Sequence, residues 1–202
     1  MSGHGASSAC SARMVPSPWI VRWSHLLAPG STVLDVACGS GRHLAWFAAK
    51  GHAVTGIDRD LSAALEMGQS VTLVEADIEN GPWPLMRGAT PEEFGAVVVT
   101  NYLWRPVLPA IFGSVRPGGV LLYETFTQGH EKFGRPTRPD FLLRPGELLR
   151  ACTDWQIVAY ECGELSDPAR CVQRIAAVRP GAEPFSEPVS DAVSELAGLY
   201  RL

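Results

Sequence analysis

The stretch VLDVACGSGRHLAWFAAKGHAVTGID, residues 33–58, places Gly39 and Gly41 between two apolar segments and ends in an aspartate. The first segment, TVLDVA, predicts a strand buried on both faces, GRHLAWFAAKG predicts a helix that ends at Gly51, and AVTGID predicts the next strand. A glycine turn from a strand into a helix lets backbone N–H groups approach a ligand closely, and the helix start favours anionic groups. The stretch therefore predicts a site for a nucleotide or a nucleoside.

Four side chains in this stretch narrow the choice of ligand class. Asp58 ends the second strand, and a carboxylate that only accepts hydrogen bonds suits the two donors of a ribose diol. Bulky Arg42 and His43 follow the turn, where a dinucleotide's pyrophosphate needs clear space. Asp35 lies inside the first strand, where a carboxylate is costly to bury, so we expect it to hold the glycine loop or to orient a ligand's ammonium. The pattern favours a single nucleoside.

Strand and helix keep alternating along the rest of the chain. Further strands are predicted at 71–77, 95–101 and 119–126, the last after the turn RPGG, and helices at 19–27, 61–67 and 105–115, the last with a possible kink at Pro109. Residues 155–165 and 170–180 predict two strands joined by a turn. The expected fold class is α/β: a Rossmann-like doubly wound sheet, mostly parallel with an antiparallel C-terminal hairpin, and helices on both faces.

Composition limits the domain organisation and the partners. With 202 residues, 46% hydrophobic and 19% charged, the chain suits one globular domain, which we place at 18–180 between a flexible N-terminal segment (1–17) and a C-terminal tail (181–202). No secretory signal and no membrane-spanning run is visible, so a cytoplasmic protein without a membrane partner is expected. The net charge of −4 offers no general attraction to nucleic acid. The cysteine and histidine spacings predict no metal site.

The run DVACGSG (35–41), with Asp58 after the second strand and EAD (75–77) ending the third, resembles the class I S-adenosylmethionine-dependent methyltransferases, whose first motif reads DxxxGxG. The resemblance covers about Val33 to Phe126 and implies S-adenosyl-L-methionine as the cofactor. It implies that the amino-acid part lies near 35–41, the ribose at Asp58, and the adenine at Asp77 and Ile78. CGSGRH and YETF resemble, more narrowly, small bacterial methyltransferases of the tellurite-resistance type. The predicted cofactor-binding residues are Asp35, Ala37, Cys38, Gly39, Gly41, Arg42, Asp58, Arg59, Asp77, Ile78 and Asn101.

Ligands of open parallel sheets lie beyond the carboxyl ends of the strands, so Tyr102 and Glu124 are predicted catalytic residues together with His130 as a general base. His130 belongs to the lid, the Gly- and Pro-rich segment 127–139. The lid cations His130, Lys132, Arg135 and Arg138 could recruit an anionic acceptor, although a charged loop is often merely solvated. NYLW (101–104) lacks the two prolines of relatives that methylate planar nitrogens, which favours a small-molecule acceptor over a nucleic-acid base.

The predicted function is methyl transfer from S-adenosyl-L-methionine to a small-molecule acceptor by in-line displacement. Two alternatives stay open at this point. One is a nicotinamide-dependent oxidoreductase that uses a Rossmann turn. The other is a ligand-binding protein with the same fold and no transfer activity. The sequence leaves the accepting atom and the oligomeric state open.

Overall fold

The computed structural model describes residues 15–65 and 71–181. Most of the predicted N-terminal segment and nearly all of the predicted C-terminal tail lie outside the described residues. The main sheet has seven strands: β1 (Thr32–Val36), β2 (Ala53–Asp58), β3 (Val71–Glu75), β4 (Phe94–Thr100), β5 (Val115–Phe126), β6 (Gln156–Ser166) and β7 (Ala169–Val178).

The strand order confirms the predicted fold class. It runs β3-β2-β1-β4-β5-β7-β6, with β1 to β5 parallel. Strand β7 lies between β5 and β6 and is antiparallel to both, so the C-terminal hairpin inserts its second strand into the sheet. Every residue of β4 is buried, as expected for an apolar central strand covered on both faces. The order reverses between β1 and β4, which places a ligand-binding crevice at their carboxyl ends.

Helices cover both faces of the sheet, as predicted. The α-helices are α1 (Pro18–Trp23), α2 (Arg42–Ala48), α3 (Leu108–Gly113) and α4 (Glu147–Ala151). Helices α1 and α2 bury their apolar side chains in one core, and α3 and α4 bury theirs in a second core on the opposite face. The described residues contain no helix that is long and apolar enough to cross a membrane.

Several local predictions differ from the structure. The helix predicted at 105–115 is a 3-10 turn, Arg105–Val107, followed by α3, and Pro109 lies in the first turn of α3 instead of kinking it. The predicted turn RPGG lies within β5, where the pairing with β4 shifts register and the Gly118 N–H donates to the Arg179 carbonyl oxygen at 2.9 Å. The proline- and glycine-containing segment 78–94, in which little regular structure is expected, contains a small hairpin of two-residue strands, Met86–Arg87 and Thr90–Pro91. Part of the helix predicted at 61–67 lies outside the described residues.

Candidate active site

The glycine turn after β1 has a backbone that only a few residue types adopt easily. Gly39 and Gly41 have φ values of 54° and 77°, and Ala37 also lies in the left-handed region at 55°. A Cβ added at Gly39 would have no atom within 4 Å, because the glycine faces open space. That space, the turn cavity, has a volume of about 450 Å³ and is lined by Ala37, Cys38, Gly39, Ser40, Arg42, Thr100, Asn101 and Tyr102.

Asp35 is 1% exposed, and neither of its carboxylate oxygens has a hydrogen-bond partner among the described residues. The expectation that Asp35 holds the glycine loop is therefore wrong, since Asp58 does so by accepting the Gly39 N–H at 2.8 Å. His43 Nδ1 lies 3.7 Å from Asp35 Oδ2, and His43 Nε2 accepts the Ser17 N–H at 3.1 Å. With Nε2 used as an acceptor, the ring's proton is on Nδ1 and faces Asp35. The other expectation, that Asp35 orients the ammonium group of a ligand, stays a prediction.

A second cavity brings together the residues predicted to bind ribose and adenine. The Asp58 cavity, about 390 Å³, is lined by Ala37, Ile57, Asp58, Arg59, Ala76, Asp77, Ile78, Glu79, Tyr102 and Phe141. Asp77 accepts hydrogen bonds from the Asn80 side chain at 2.8 Å and from the Glu79 N–H at 3.0 Å, and these bonds lower the pKa of its carboxyl. Apolar Ile57 and Ile78 flank the carboxylates, so the cavity offers a flat ring an apolar environment beside polar groups.

The predicted catalytic residue Tyr102 lines both the turn cavity and the Asp58 cavity. It does not line a third cavity, which is described in the next paragraph. Its hydroxyl is buried without a hydrogen-bond partner among the described residues, and burial raises its pKa well above the usual range. Asn101, just before it, has a φ of 55° and lies at the carboxyl end of β4. Strained positions of this kind cluster at functional sites. The geometry places Tyr102 on the side of the predicted cofactor.

A third and larger cavity contains the other two predicted catalytic residues. The Glu124 cavity, about 710 Å³, is lined by Val15, Pro16, Ser17, Pro18, Arg42, Asn101, Glu124, Phe126, His130, Phe133, Gly134, Arg135, Pro168, Ala169 and Arg170. Its walls come from the N-terminal segment, the end of β5, the lid and the turn between β6 and β7. Arg42 and Asn101 also line the turn cavity, so the two spaces adjoin.

Glu124 is buried and both of its oxygens already accept hydrogen bonds. Oε1 accepts the Ser17 hydroxyl at 3.0 Å, and Oε2 accepts Arg174 Nη1 at 3.1 Å. The Arg174 guanidinium also binds Glu161 and lies 4.8 Å from the centre of the Trp19 ring. Because its charge is matched by Arg174, Glu124 is poorly placed to serve as a general base.

The lid cations separate into two groups. His130 and Arg135 line the Glu124 cavity, whereas Lys132 pairs with Glu164 at 2.7 Å and Arg138 pairs with Asp140 at 3.0 Å. The His130 ring stacks on Phe126 with centroids 4.1 Å apart. Its Nε2 donates to the Arg135 carbonyl oxygen at 3.0 Å, because a carbonyl can only accept, and this leaves a lone pair on Nδ1. That Nδ1 is buried and has no partner among the described residues.

Arg105 holds the residues that follow the lid. Its Nε donates to Glu147 Oε1 at 2.7 Å, and its other nitrogens donate to the carbonyl oxygens of Asp140 and Leu142 at 2.7 and 2.9 Å. Phe141 lies between these two carbonyls in the chain and lines the Asp58 cavity. The fork of Arg105 therefore positions an aromatic ring against the predicted adenine site.

Several lining residues were not predicted from the sequence: Ser17, Phe126, Phe133, Phe141 and Arg170. Ser17 precedes a proline and could have been identified as a helix N-cap, but its bond to Glu124 spans a long sequence separation. The aromatic residues follow no local motif. Among the described residues, no group of three or more His, Cys, Asp or Glu side chains could hold a metal ion.

Comparisons with known proteins identify the class of domain. Residues 33–119 match a family model described as a methyltransferase domain. The structure of TehB from Haemophilus influenzae is similar at a TM-score of 0.65 and 19% identity, over 81% of this chain and 62% of that protein. A TehB-like SAM-dependent methyltransferase from Corynebacterium glutamicum has a TM-score of 0.59 and 16% identity, over 87% and 94% of the two chains. Coclaurine N-methyltransferase, bound to N-methylheliamine and SAH, has a TM-score of 0.55 and 17% identity, over 81% and 54%.

The predicted resemblance is confirmed: residues 33–119 match the model of a methyltransferase domain, and proteins of the same fold include an S-adenosylmethionine-dependent methyltransferase. At sequence identities of 16–19%, the structural similarity shows that these proteins share a fold. The chain spans 62% of the length of the Haemophilus influenzae protein. The comparison with curated proteins found no match. The family match disfavours the nicotinamide-dependent alternative.

Proposed function

We propose that this protein transfers a methyl group from S-adenosyl-L-methionine to a small-molecule acceptor bound in the Glu124 cavity. The observation that carries the proposal is the sharing of walls between three cavities. Ala37 and Tyr102 line both the Asp58 cavity and the turn cavity, and Arg42 and Asn101 line both the turn cavity and the Glu124 cavity. The three spaces therefore follow one another along the carboxyl ends of the strands, as a cofactor and an adjoining acceptor require.

The first two cavities fit the chemical groups of the cofactor. Gly39 leaves open space for close approach to the backbone, and the buried carboxylate of Asp35 lacks a donor that the cofactor's ammonium would supply. Arg42 would offer a forked donor set to the cofactor's carboxylate, Asp58 would accept from the ribose hydroxyls, and Ile78 and Phe141 would contact the adenine. These assignments use the open space at Gly39 and the Asp35 carboxylate, whose oxygens have no hydrogen-bond partner among the described residues.

When bound, the cofactor supplies a methyl carbon whose bond to the sulfonium sulfur breaks with both electrons left on sulfur, while a lone pair of the acceptor forms the new bond. The protein's part is to align the acceptor and to exclude water. Phe126, Phe133 and the prolines of the N-terminal segment supply the apolar wall that displaces water from the Glu124 cavity.

His130 is the residue that we assign to accept the acceptor's proton. It lines the Glu124 cavity and its Nδ1 lone pair has no partner among the described residues, whereas both oxygens of Glu124 are occupied. The role of Glu124 is then to fix the inner wall of the cavity through Ser17 and Arg174. A small organic acceptor agrees with the coclaurine N-methyltransferase structure of the same fold, whose bound molecule is N-methylheliamine.

The test combines binding and transfer on one preparation. Calorimetric titration with S-adenosylmethionine, S-adenosylhomocysteine and NAD should show binding of the first two only. Label from methyl-tritiated S-adenosylmethionine should then enter the products of a deproteinised small-molecule extract. If His130 accepts a proton, His130→Gln should lower transfer by about 10²-fold or more while S-adenosylhomocysteine binds as before. Binding of NAD without binding of S-adenosylmethionine would contradict the proposed cofactor. Binding of S-adenosylmethionine without any label transfer would favour a ligand-binding protein.

A further inference from the structure

We infer that the acceptor is an organic anion whose acid group is bound by Arg135 and Arg170 and whose accepting atom lies at the opposite, Glu124 end of the cavity. The inference rests on the proposed function, because it assumes that the Glu124 cavity holds the acceptor. Three observations carry it: the charge balance of the cavity walls, the residue pattern on the floor of the cavity, and the fixed path of the lid at Arg135.

The walls of the Glu124 cavity carry an excess of positive charge. Their one carboxylate, Glu124, is matched by Arg174, which does not itself line the cavity. Arg42, Arg135 and Arg170 line the cavity, and none of the three forms an ion pair with a carboxylate in the part of the chain that the structure describes. With Arg42 beside the turn cavity and assigned to the cofactor, two guanidinium groups remain for the acceptor.

The pairing of β5 with β7 orders the floor of the cavity. Glu124 pairs with Arg174, and Phe126 pairs with Val172 on the same face, because alternate residues of a strand share a face. Arg170 lies on that face at the next alternate position along β7. From Arg174 to Arg170 the strand advances roughly 13 Å at 3.3 Å per residue. The floor therefore runs from a polar end at Glu124, over an apolar row formed by Phe126 of the cavity wall and Val172 beside it, to a cation at Arg170.

The lid brings the second cation, Arg135, to the same cavity. The ring of His130, stacked on Phe126, donates to the carbonyl oxygen of Arg135 at 3.0 Å and fixes the loop at that residue. Phe133 and Gly134, also in the cavity wall, precede it. Arg135 is exposed and Arg170 is half-buried, so both stand toward solvent, where an acid group can be captured without complete desolvation.

This arrangement selects among acceptor classes. A cationic amine would meet like charges at the outer end. A compact inorganic oxyanion held by Arg135 and Arg170 would leave the apolar row uncovered and would lie far from the turn cavity. A flat or chain-like acid with a hydroxyl or amino group at its other end covers the row and presents its lone pair beside Arg42 and Asn101.

The experiment uses one carbon skeleton with three end groups. Isothermal titration of the protein saturated with S-adenosylhomocysteine would compare 3-(4-hydroxyphenyl)propanoate, its primary amide and tyramine, with inorganic phosphate as a fourth probe. The acid should bind about tenfold or more tightly than the amide, and its advantage should shrink with added salt. Arg135→Ala combined with Arg170→Ala should bring the ratio of acid to amide affinity to about one. Lys132→Ala, a matched loss of a lid cation that pairs with Glu164 and does not line the cavity, should keep the ratio.

Each other outcome overturns the inference. These outcomes are equal or tighter binding of the amide or tyramine, tighter binding of phosphate than of the acid, no binding of the acid, or an unchanged ratio in the double variant. Titration with S-adenosylhomocysteine on the same samples distinguishes a failure of the proposed function from a failure of the inferred acceptor class. If that compound fails to bind, the proposed function fails. If it binds normally and the acid is not preferred, only the nature of the acceptor is wrong.

Discussion

The cofactor end and the acceptor end of the site are built in different ways. The turn cavity and the Asp58 cavity are lined mainly by residues that directly follow β1, β2, β3 and β4. The Glu124 cavity instead takes its walls from five separate parts of the chain, 15–18, 42, 101, 124–135 and 168–170, joined by bonds such as Ser17 to Glu124. One end depends on backbone shape within short motifs, and the other depends on side chains that meet only after folding. Substitutions at the two ends should therefore fail in different ways.

The largest effect is expected from Gly39→Val. Gly39 has a φ of 54°, and the space that its Cβ would enter is the turn cavity. A branched side chain would occupy the cofactor's volume, so affinity for S-adenosylmethionine should fall by about 100-fold or more, about 3 kcal/mol. Calorimetric titration measures the loss.

Gly51→Val is the matched control for that variant. Gly51 also has a positive φ, 82°, and open space at its Cβ, but it lies at the end of α2 and lines none of the three cavities. Both valines should lower thermal stability by a similar amount, about 1–2 kcal/mol for the left-handed backbone. Only the change at Gly39 should remove cofactor binding, and equal affinity losses in the two variants would show that strain, rather than occupied space, is responsible.

An intermediate effect is expected from Asp58→Ala. The variant removes the proposed acceptor for two ribose hydroxyls and also the partner of the Gly39 N–H. Affinity for S-adenosylmethionine should fall by about 10- to 100-fold, since hydrogen bonds to a charged group contribute roughly 1.5–3 kcal/mol. Asp60→Ala is the control, because Asp60 is an exposed carboxylate nearby whose bond is to the Ser62 N–H. An unchanged affinity in Asp58→Ala would remove Asp58 from the site.

The smallest effect is expected at the acceptor end from Ser17→Ala. Ser17 accepts the Trp19 N–H as the N-cap of α1 and donates to Glu124, so its loss should lower the free energy of unfolding by about 1–2 kcal/mol. Cofactor affinity should not change. Urea denaturation measures the stability, and Ser31→Ala, which removes a local bond to the Ala28 carbonyl, should cost less than about 0.5 kcal/mol. Equal costs for the two serines would mean that the bond to Glu124 contributes nothing.

The fold and the cofactor end could largely be predicted from the sequence. The apolar runs of β1, β2 and β4, and the glycines between β1 and α2, carry local signals that tertiary context did not override. The secondary-structure predictions were wrong where hydrogen bonds between distant parts of the chain determine the structure. The RPGG segment has turn chemistry, but Gly118 and Gly119 bond to Arg179 across the sheet and extend β5.

The acceptor end could be predicted only in part. Glu124 and His130 were identified because they lie near the end of β5 and shortly after it, at the ligand-binding edge. Lys132 could not be separated from the other lid cations in the sequence, because its partner Glu164 lies on β6 and meets it only when the loop folds. The loss of Asp35 as a support for the glycine loop has the same origin, since Asp58 reaches Gly39 only through the pairing of β1 with β2.

The position of Arg170 has a consequence for laboratory evolution of new specificity. Pro168, Ala169 and Arg170 lie at the turn of the β6–β7 hairpin, and the Arg170 guanidinium makes no ion pair within the described chain. Replacing it should cost the scaffold little stability. A saturation library at Arg170 and Arg135 can thus explore new substrates while the Ser17–Glu124–Arg174 bonds are left untouched. Libraries at those bonded residues would instead lower the stability of many clones.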